Sequence, residues 1–270
     1  MSDYVAIQRS LHLSAGLSPV TDLNFAQEMT TVPILTEEIP YILQHMPIAF
    51  QKIERIEKET YQLVALQSLM PSRNLFILPD GRWIAGYTPA FYRSHPFALT
   101  PSEKSNQLQL TIKSDYIKTQ LTESDLHFFD DEQNLTPALQ KTAKFLAEAL
   151  KSRQKTLNLC ASLDEENLIT PWEISFTEPN EKNDLCTKKL EGLYHIDTKA
   201  LQKLSNKAIT GLNACGGLKL AYGQYFSEAR LKDLTQLQTA HRNVQENNSE
   251  NLTEPDLDEL FGSKDDLFSF

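Results

Sequence analysis

The residues best equipped for chemistry lie between Asp80 and Leu99. They read Asp80-Gly81-Arg82-Trp83-Ile84-Ala85-Gly86-Tyr87-Thr88-Pro89, then Ala90-Phe91, then Tyr92-Arg93-Ser94-His95-Pro96-Phe97-Ala98-Leu99. Two arginines alternate with five aromatics here. A guanidinium pairs bidentately with carboxylates and stacks on aromatic faces, so such a run can surround a ligand or a peptide. Arg82, Trp83, Tyr87, Arg93 and His95 are therefore candidate ligand or partner contacts. The same residues allow an opposite reading, in which Trp83, Tyr87 and Phe97 fill the core between a sheet and a helix. Both readings stand at this level.

Nucleophile and metal templates find no anchor. There is no Gly-x-Ser-x-Gly elbow, no Cys-x-x-Cys and no His-Glu-x-x-His, so acyl transfer and the common zinc sites lack their residues. Gly216-Gly217-Leu218-Lys219 has neither the preceding glycine nor the following hydroxyl of a phosphate loop, and reads as a helix stop. The histidines (His12, His45, His95, His127, His195, His241) are dispersed. Asp130-Asp131-Glu132 offers oxygen ligands for a cation, or simply a solvated turn. No catalytic residue, metal or cofactor is assigned. Cys160, Cys186 and Cys215 are too few and too irregular for a disulfide framework and read as reduced thiols.

A second chemical feature closes the chain. Asp258-Glu259-Leu260-Phe261 and Asp265-Asp266-Leu267-Phe268 repeat an acidic-acidic-Leu-Phe unit, and Phe270 follows. Residues 246–270 hold eight acidic residues against Lys264 alone, whereas the rest carries 28 acidic and 25 basic residues. Large apolar residues are anomalous in a segment so acidic. Either Leu260, Phe261, Leu267, Phe268 and Phe270 enter a basic-rimmed groove on a partner, or the segment folds back as a last structural element.

These groups need elements to position them. Pro47–Ile53, Tyr61–Leu69 and Gln107–Ile112 read as strands, and Asn74–Leu78 with Arg82–Tyr87 as a hairpin around Pro79-Asp80-Gly81. Thr36-Glu37-Glu38-Ile39 resembles a helix start, which Pro40 confines to the first turn. Thr136-Pro137 opens a long helix, since Leu139, Ala143, Leu146, Leu150, Leu157 and Ala161 recur at helical spacing. Strands follow over Leu168–Phe176 and Leu190–Ile196, joined by a polar loop, Glu178 to Asp184. Asp197, Ser205 and Ser227 are the expected caps of later helices. The fold class is α+β: a β-rich N-terminal half with hairpins, a helix-rich C-terminal half packed on it, and a disordered acidic tail. Residues 1–30 are expected as a flexible arm, 31–241 as the folded body and 242–270 as the tail.

At 270 residues, 40% of them hydrophobic, the chain can bury a sizeable core. No run of about 18 apolar residues is present, so no membrane span is expected. The start, Met1-Ser2-Asp3-Tyr4, lacks a basic segment and an apolar stretch, which with the thiols gives a cytoplasmic expectation. A near-neutral body with an acidic end repels phosphate backbones and disfavours nucleic acid.

The Asp-Gly-Arg-Trp hairpin, the Tyr-x-Pro-Ala that follows, and Arg93-x-x-Pro96-Phe97-Ala98-Leu99 together resemble the SapC family. So do Val32-Pro33-Ile34, Phe128-Phe129-Asp130, Leu168-Ile169-Thr170-Pro171-Trp172, Leu190 to Asp197, and Leu218-Lys219-Leu220-Ala221-Tyr222. The resemblance covers about residues 25–237. His95 stands where an aromatic is common in the family. The resemblance implies a bacterial accessory protein linked to surface-layer assembly or export, with a protein partner or client and without catalytic residues to carry over. The name is shared with an unrelated peptide-transporter permease, from which the missing spans separate this chain. Family members also occur beside oxygenase-like and halogenase-like enzymes. This implies an alternative, an enzyme or an accessory to one with a pocket lined by the Arg/aromatic run.

Overall fold

The computed structural model describes residues 4–54, 59–102, 105–179 and 185–247. The acidic Leu-Phe units lie outside the described residues. Twelve strands are described: β1 Tyr4–Ala6, β2 Gly16–Leu17, β3 Thr31–Pro33, β4 Ile48–Glu54, β5 Glu59–Leu66, β6 Phe97–Ser102, β7 Ser105–Lys113, β8 Leu126–His127, β9 Ile169–Pro171, β10 Ile174–Pro179, β11 Leu185–Leu190 and β12 Leu193–Ile196. The α-helices are α1 Arg9–His12, α2 Ile39–Ile42, α3 Ala90–Ser94, α4 Pro137–Glu165, α5 Thr198–Gln202, α6 Asn206–Cys215, α7 Gly217–Ser227 and α8 Leu231–Asn247. The chain is thus α+β, with strands dominating the first half and helices the second.

The main sheet is antiparallel in the order β3-β5-β4-β12-β9. In β4 and β5 the runs Ile48-Ala49-Phe50 and Leu63-Val64-Ala65-Leu66 are buried without alternation. Continuous burial means that this end of the sheet is covered on both faces. The opposite end of the hairpin is polar and open, and Lys52 there pairs with Glu59 at 3.0 Å. β12 joins β4 only at Leu193–Gln51 and Tyr194–Phe50. Beyond that point Gln224 of α7 replaces the missing ladder. Its carbonyl accepts from the Ile196 amide at 2.9 Å and its NH2 donates to the Ile48 carbonyl at 3.1 Å. Ser227 Oγ accepts from the Ile48 amide at 2.8 Å. Both side chains are fully buried, and a buried strand end needs such partners.

A second sheet, β1-β7-β6, packs Leu110 and Ile112 against Phe128, Leu139 and Leu146. α4 serves both cores. Its Leu139 and Leu146 belong to this smaller cluster, whereas Leu159, Cys160 and Leu163 belong to the main one. At 1.5 Å per residue its 29 residues span roughly 43 Å, enough to bridge the two.

Several local expectations change form. Residues 4–30, read as a flexible arm, carry β1, α1 and β2; β1 pairs with β7, and Ala15, Leu17 and Ala26 are buried. Their apolar positions are spaced too irregularly to announce an element, and tertiary partners fix them instead. The Asp80-Gly81 hairpin is a turn closed by one bridge, Ile77–Trp83, rather than two strands. Gly81 adopts φ +85°, and a side chain there would strike Asn24 and Asp22. β11 occupies Leu185–Leu190, just beyond the stretch read as a loop. Asp197 and Ser205 cap α5 and α6, and Gly216 ends α6 at φ +94°. Ser227 caps nothing; it serves Ile48 as described. Thr136 precedes α4, but its hydroxyl donates to the His127 carbonyl. Cys160 and Cys215 are free thiols.

Candidate functional site

The Arg/aromatic run does not converge on one point. Arg82 sits at the exposed turn and pairs with Asp80. Trp83 is half-buried, packs at 5.7 Å from Phe76 and 5.6 Å from Tyr92, and donates its indole N–H to the Tyr87 carbonyl at 3.1 Å. Tyr87 and Arg93 do meet, around a carboxylate that the sequence did not single out. Glu38 is buried to 4% exposure. Its Oε1 accepts from the Tyr87 hydroxyl at 2.9 Å and from the Ala90 amide at 2.7 Å, and its Oε2 accepts from the Leu35 amide at 2.8 Å. Arg93 donates to the Tyr87 hydroxyl at 3.0 Å and lies 3.9 Å from Glu38. Its guanidinium also stands over the rings of Tyr87 and Phe145.

This arrangement holds Tyr87 as a neutral phenol. Burial pushes its pKa up to about 12, with the negative charge of Glu38 adding to the effect. Each buried polar atom of Glu38 has a partner, so the cluster ties α3 to the turn before α2 and leaves the carboxylate no unpaired oxygen. On the outer side Tyr41 stacks on Tyr87 at 5.0 Å and is itself 54% exposed.

His95 points to a separate feature. Its ring stacks on Phe25 at 3.6 Å and meets the edge of Tyr116 at 4.8 Å. Burial, with Lys113 adding positive charge, lowers its pKa to about 4, so the imidazole is neutral at neutral pH. Its Nε2 is buried without a hydrogen-bond partner. His95 lines a cleft of about 340 Å³ between α4 and the edges of the two sheets. Phe25, Met29, Phe97, Leu99, Leu146 and Leu150 make its walls largely apolar. Of the five body residues read as candidates, His95 alone lines it.

The SapC family model matches residues 7–234. The chain belongs to the SapC family. No curated protein and no solved structure matches it. The segments that carry the SapC resemblance now have physical roles. Gly81 makes the turn, Trp172 stacks on His195 at 5.4 Å, Asp197 caps α5, and Leu220 and Ala221 are core. No helix among the described residues is long and apolar enough to cross a membrane. Among the described residues no group of three His, Cys, Asp or Glu is placed to hold a metal ion.

Sequence reasoning missed Glu38, Tyr41 and the outer face of α7. Glu38 was visible only as part of a helix start, and apart from the Leu35 amide its partners come from 49 to 55 residues further along. On α7 the buried face is Leu220, Ala221 and Gln224, which leaves Tyr222, Tyr225 and Phe226 at 47%, 42% and 60% exposure. Tyr222 and Tyr225 each pack on Phe226, with centroids 6.2 and 5.5 Å apart. α7 adjoins α2 through Gly223, where Ile39 approaches closely. The signal was present in Tyr222-x-x-Tyr225-Phe226, whose spacing collects three aromatics on one helical face.

Proposed function

We propose that this SapC-family chain is a non-enzymatic, cytoplasmic accessory protein of surface-layer protein assembly or export. It docks a protein client through its body and adds the acidic Leu-Phe segment as a second contact. The observation that carries the body contact is the exposed aromatic face of α7, Tyr222, Tyr225 and Phe226; Tyr41 on the adjoining α2 is exposed as well and stacks on Tyr87, beside Arg93. Clustered exposed aromatics with an arginine are the composition of interface hot spots, and a lone folded chain gains nothing by leaving them in water. The segment Asp258–Phe268 suits a complementary groove, with Leu and Phe as anchors and acid to steer the encounter.

The enzymatic alternative, with or without oxygenase- or halogenase-type partners, needs Arg82, Trp83, Tyr87 and Arg93 around a reaction space. None of these four lines the cleft, and the Glu38 cluster that holds two of them is internally satisfied. That favours the binding reading.

Capture from a lysate of the native organism tests it, using the full chain, a chain ending at residue 249, and a Tyr222→Ser/Phe226→Ser variant. Both altered proteins are expected to melt at the parent temperature and to hold the client about tenfold more weakly, or worse. Undiminished capture by both would overturn the proposal. A large drop in melting temperature on truncation would show instead that the acidic segment is structural.

A further inference from the structure

The cleft beside His95 is not used by the docking surface, and its chemistry is specific enough to name a ligand class. It lies on the seam between the main core, which supplies Phe25 and Met29, and the smaller one, which supplies Phe97 and Leu146. Its volume of about 340 Å³ is within the range of small-molecule sites, roughly 300–1,000 Å³, and such sites favour seams of this kind. Its walls are apolar, but its ionisable groups are not balanced. Glu38 is the acidic residue on the lining, and its oxygens are already occupied by Tyr87 and two backbone amides. Lys113 and Arg153 also line the cleft, and among the described residues neither makes an ion pair. Lys113 is held next to His95, because its amide bonds the Pro96 carbonyl at 3.1 Å.

An apolar cavity with unpaired cations at its lining suits an anion that brings its own hydrocarbon. We propose that the cleft binds a medium-chain apolar carboxylate, with the head group on Lys113 and the chain along α4. The carboxylate accepts a charge-assisted hydrogen bond from the Lys113 ammonium. The chain covers Leu146, Leu150 and Phe97. The aliphatic series then reads directly on the cavity: affinity rises about fourfold per added methylene until the cleft is full.

Isothermal titration of the full chain with hexanoate, octanoate and decanoate, each below its micelle concentration, tests this against decanol and decylamine. Decanoate should bind at least tenfold more tightly than either neutral or cationic analogue. Lys113→Gln should weaken decanoate about tenfold. Ala149→Trp should abolish binding by filling the cleft, and Leu150→Trp, at a position 39% exposed, does the same with less risk to folding. Equal binding of decylamine, or unchanged affinity in Leu150→Trp, would overturn the proposal. Client capture by the Leu150→Trp protein separates this site from the docking surface, since it should stay at the parent level.

Discussion

At the scale of single residues, the chemistry that looked most active is spent on holding the fold. Tyr87 is the clearest case. Its hydroxyl bridges Arg93 and the buried Glu38. Tyr87→Phe therefore removes a hydrogen bond to a buried carboxylate and should cost about 1.5–3 kcal/mol in urea unfolding near neutral pH. The pH dependence follows from its raised pKa. The folded state keeps the proton more tightly than the unfolded chain, so this stabilisation is complete below pH 10 and is lost as pH climbs towards about 12. The gap between parent and Tyr87→Phe should thus narrow above pH 10; a gap that stays constant would mean that the hydroxyl is not what Glu38 holds. Arginines and aromatics were legible in the sequence, but their target was not. Glu38 is a carboxylate beside another carboxylate in a plausible first helical turn, and nothing local distinguishes the buried one from the exposed Glu37.

At the scale of elements, periodicity did its work where one face alone meets the core. α4 was readable because Leu139, Leu146 and Leu157 repeat on one side, and all three are buried. α7 was harder. Its aromatics outside and its glutamine and serine inside invert the usual amphipathic order, so the hydrophobic pattern points the wrong way. The inversion has a cause: Gln224 and Ser227 close the gap where β12 diverges from β4. Gln224→Met keeps the volume and removes the bonds. It leaves the Ile196 amide and the Ile48 carbonyl without this partner in a dry site, and should cost about 2–4 kcal/mol. Hydrogen exchange provides the local check, because the Ile196 amide should lose its protection before its neighbours in β4. Retained protection would mean that the strands close on each other without the glutamine.

At the scale of the whole molecule, α4 joins two cores that would otherwise be neighbours. Calorimetry of the parent should give a single transition. Lys151 is exposed and lies between the stretch of α4 that serves the smaller core and the stretch that serves the main one. Lys151→Pro breaks the helix there at a cost of about 3 kcal/mol and should split the melt into two steps. A single transition of the variant would mean that the sheets communicate without the helix. The family and the α+β class were legible from blocks of ordered sequence. The seam between the cores was not, because a cavity is made by residues such as Phe25, His95 and Leu150 that share no segment. Their side chains carry no local sign that the space between them stays open.

The order β3-β5-β4-β12-β9 also sets a timetable. During synthesis β4 and β5 emerge early and pair at once through a short connection, yet the outer side of β4 has to wait until Leu193 and Tyr194 are made. Gln224 and Ser227, which finish the same edge, arrive later still. For most of its synthesis the chain carries an apolar hairpin with one unpaired margin, the kind of surface that joins the wrong partner. The final third of the sequence therefore decides when the first third is safe. A ribosome stalled before residue 190 would release a product whose hazard comes from a strand that was correctly made and never covered.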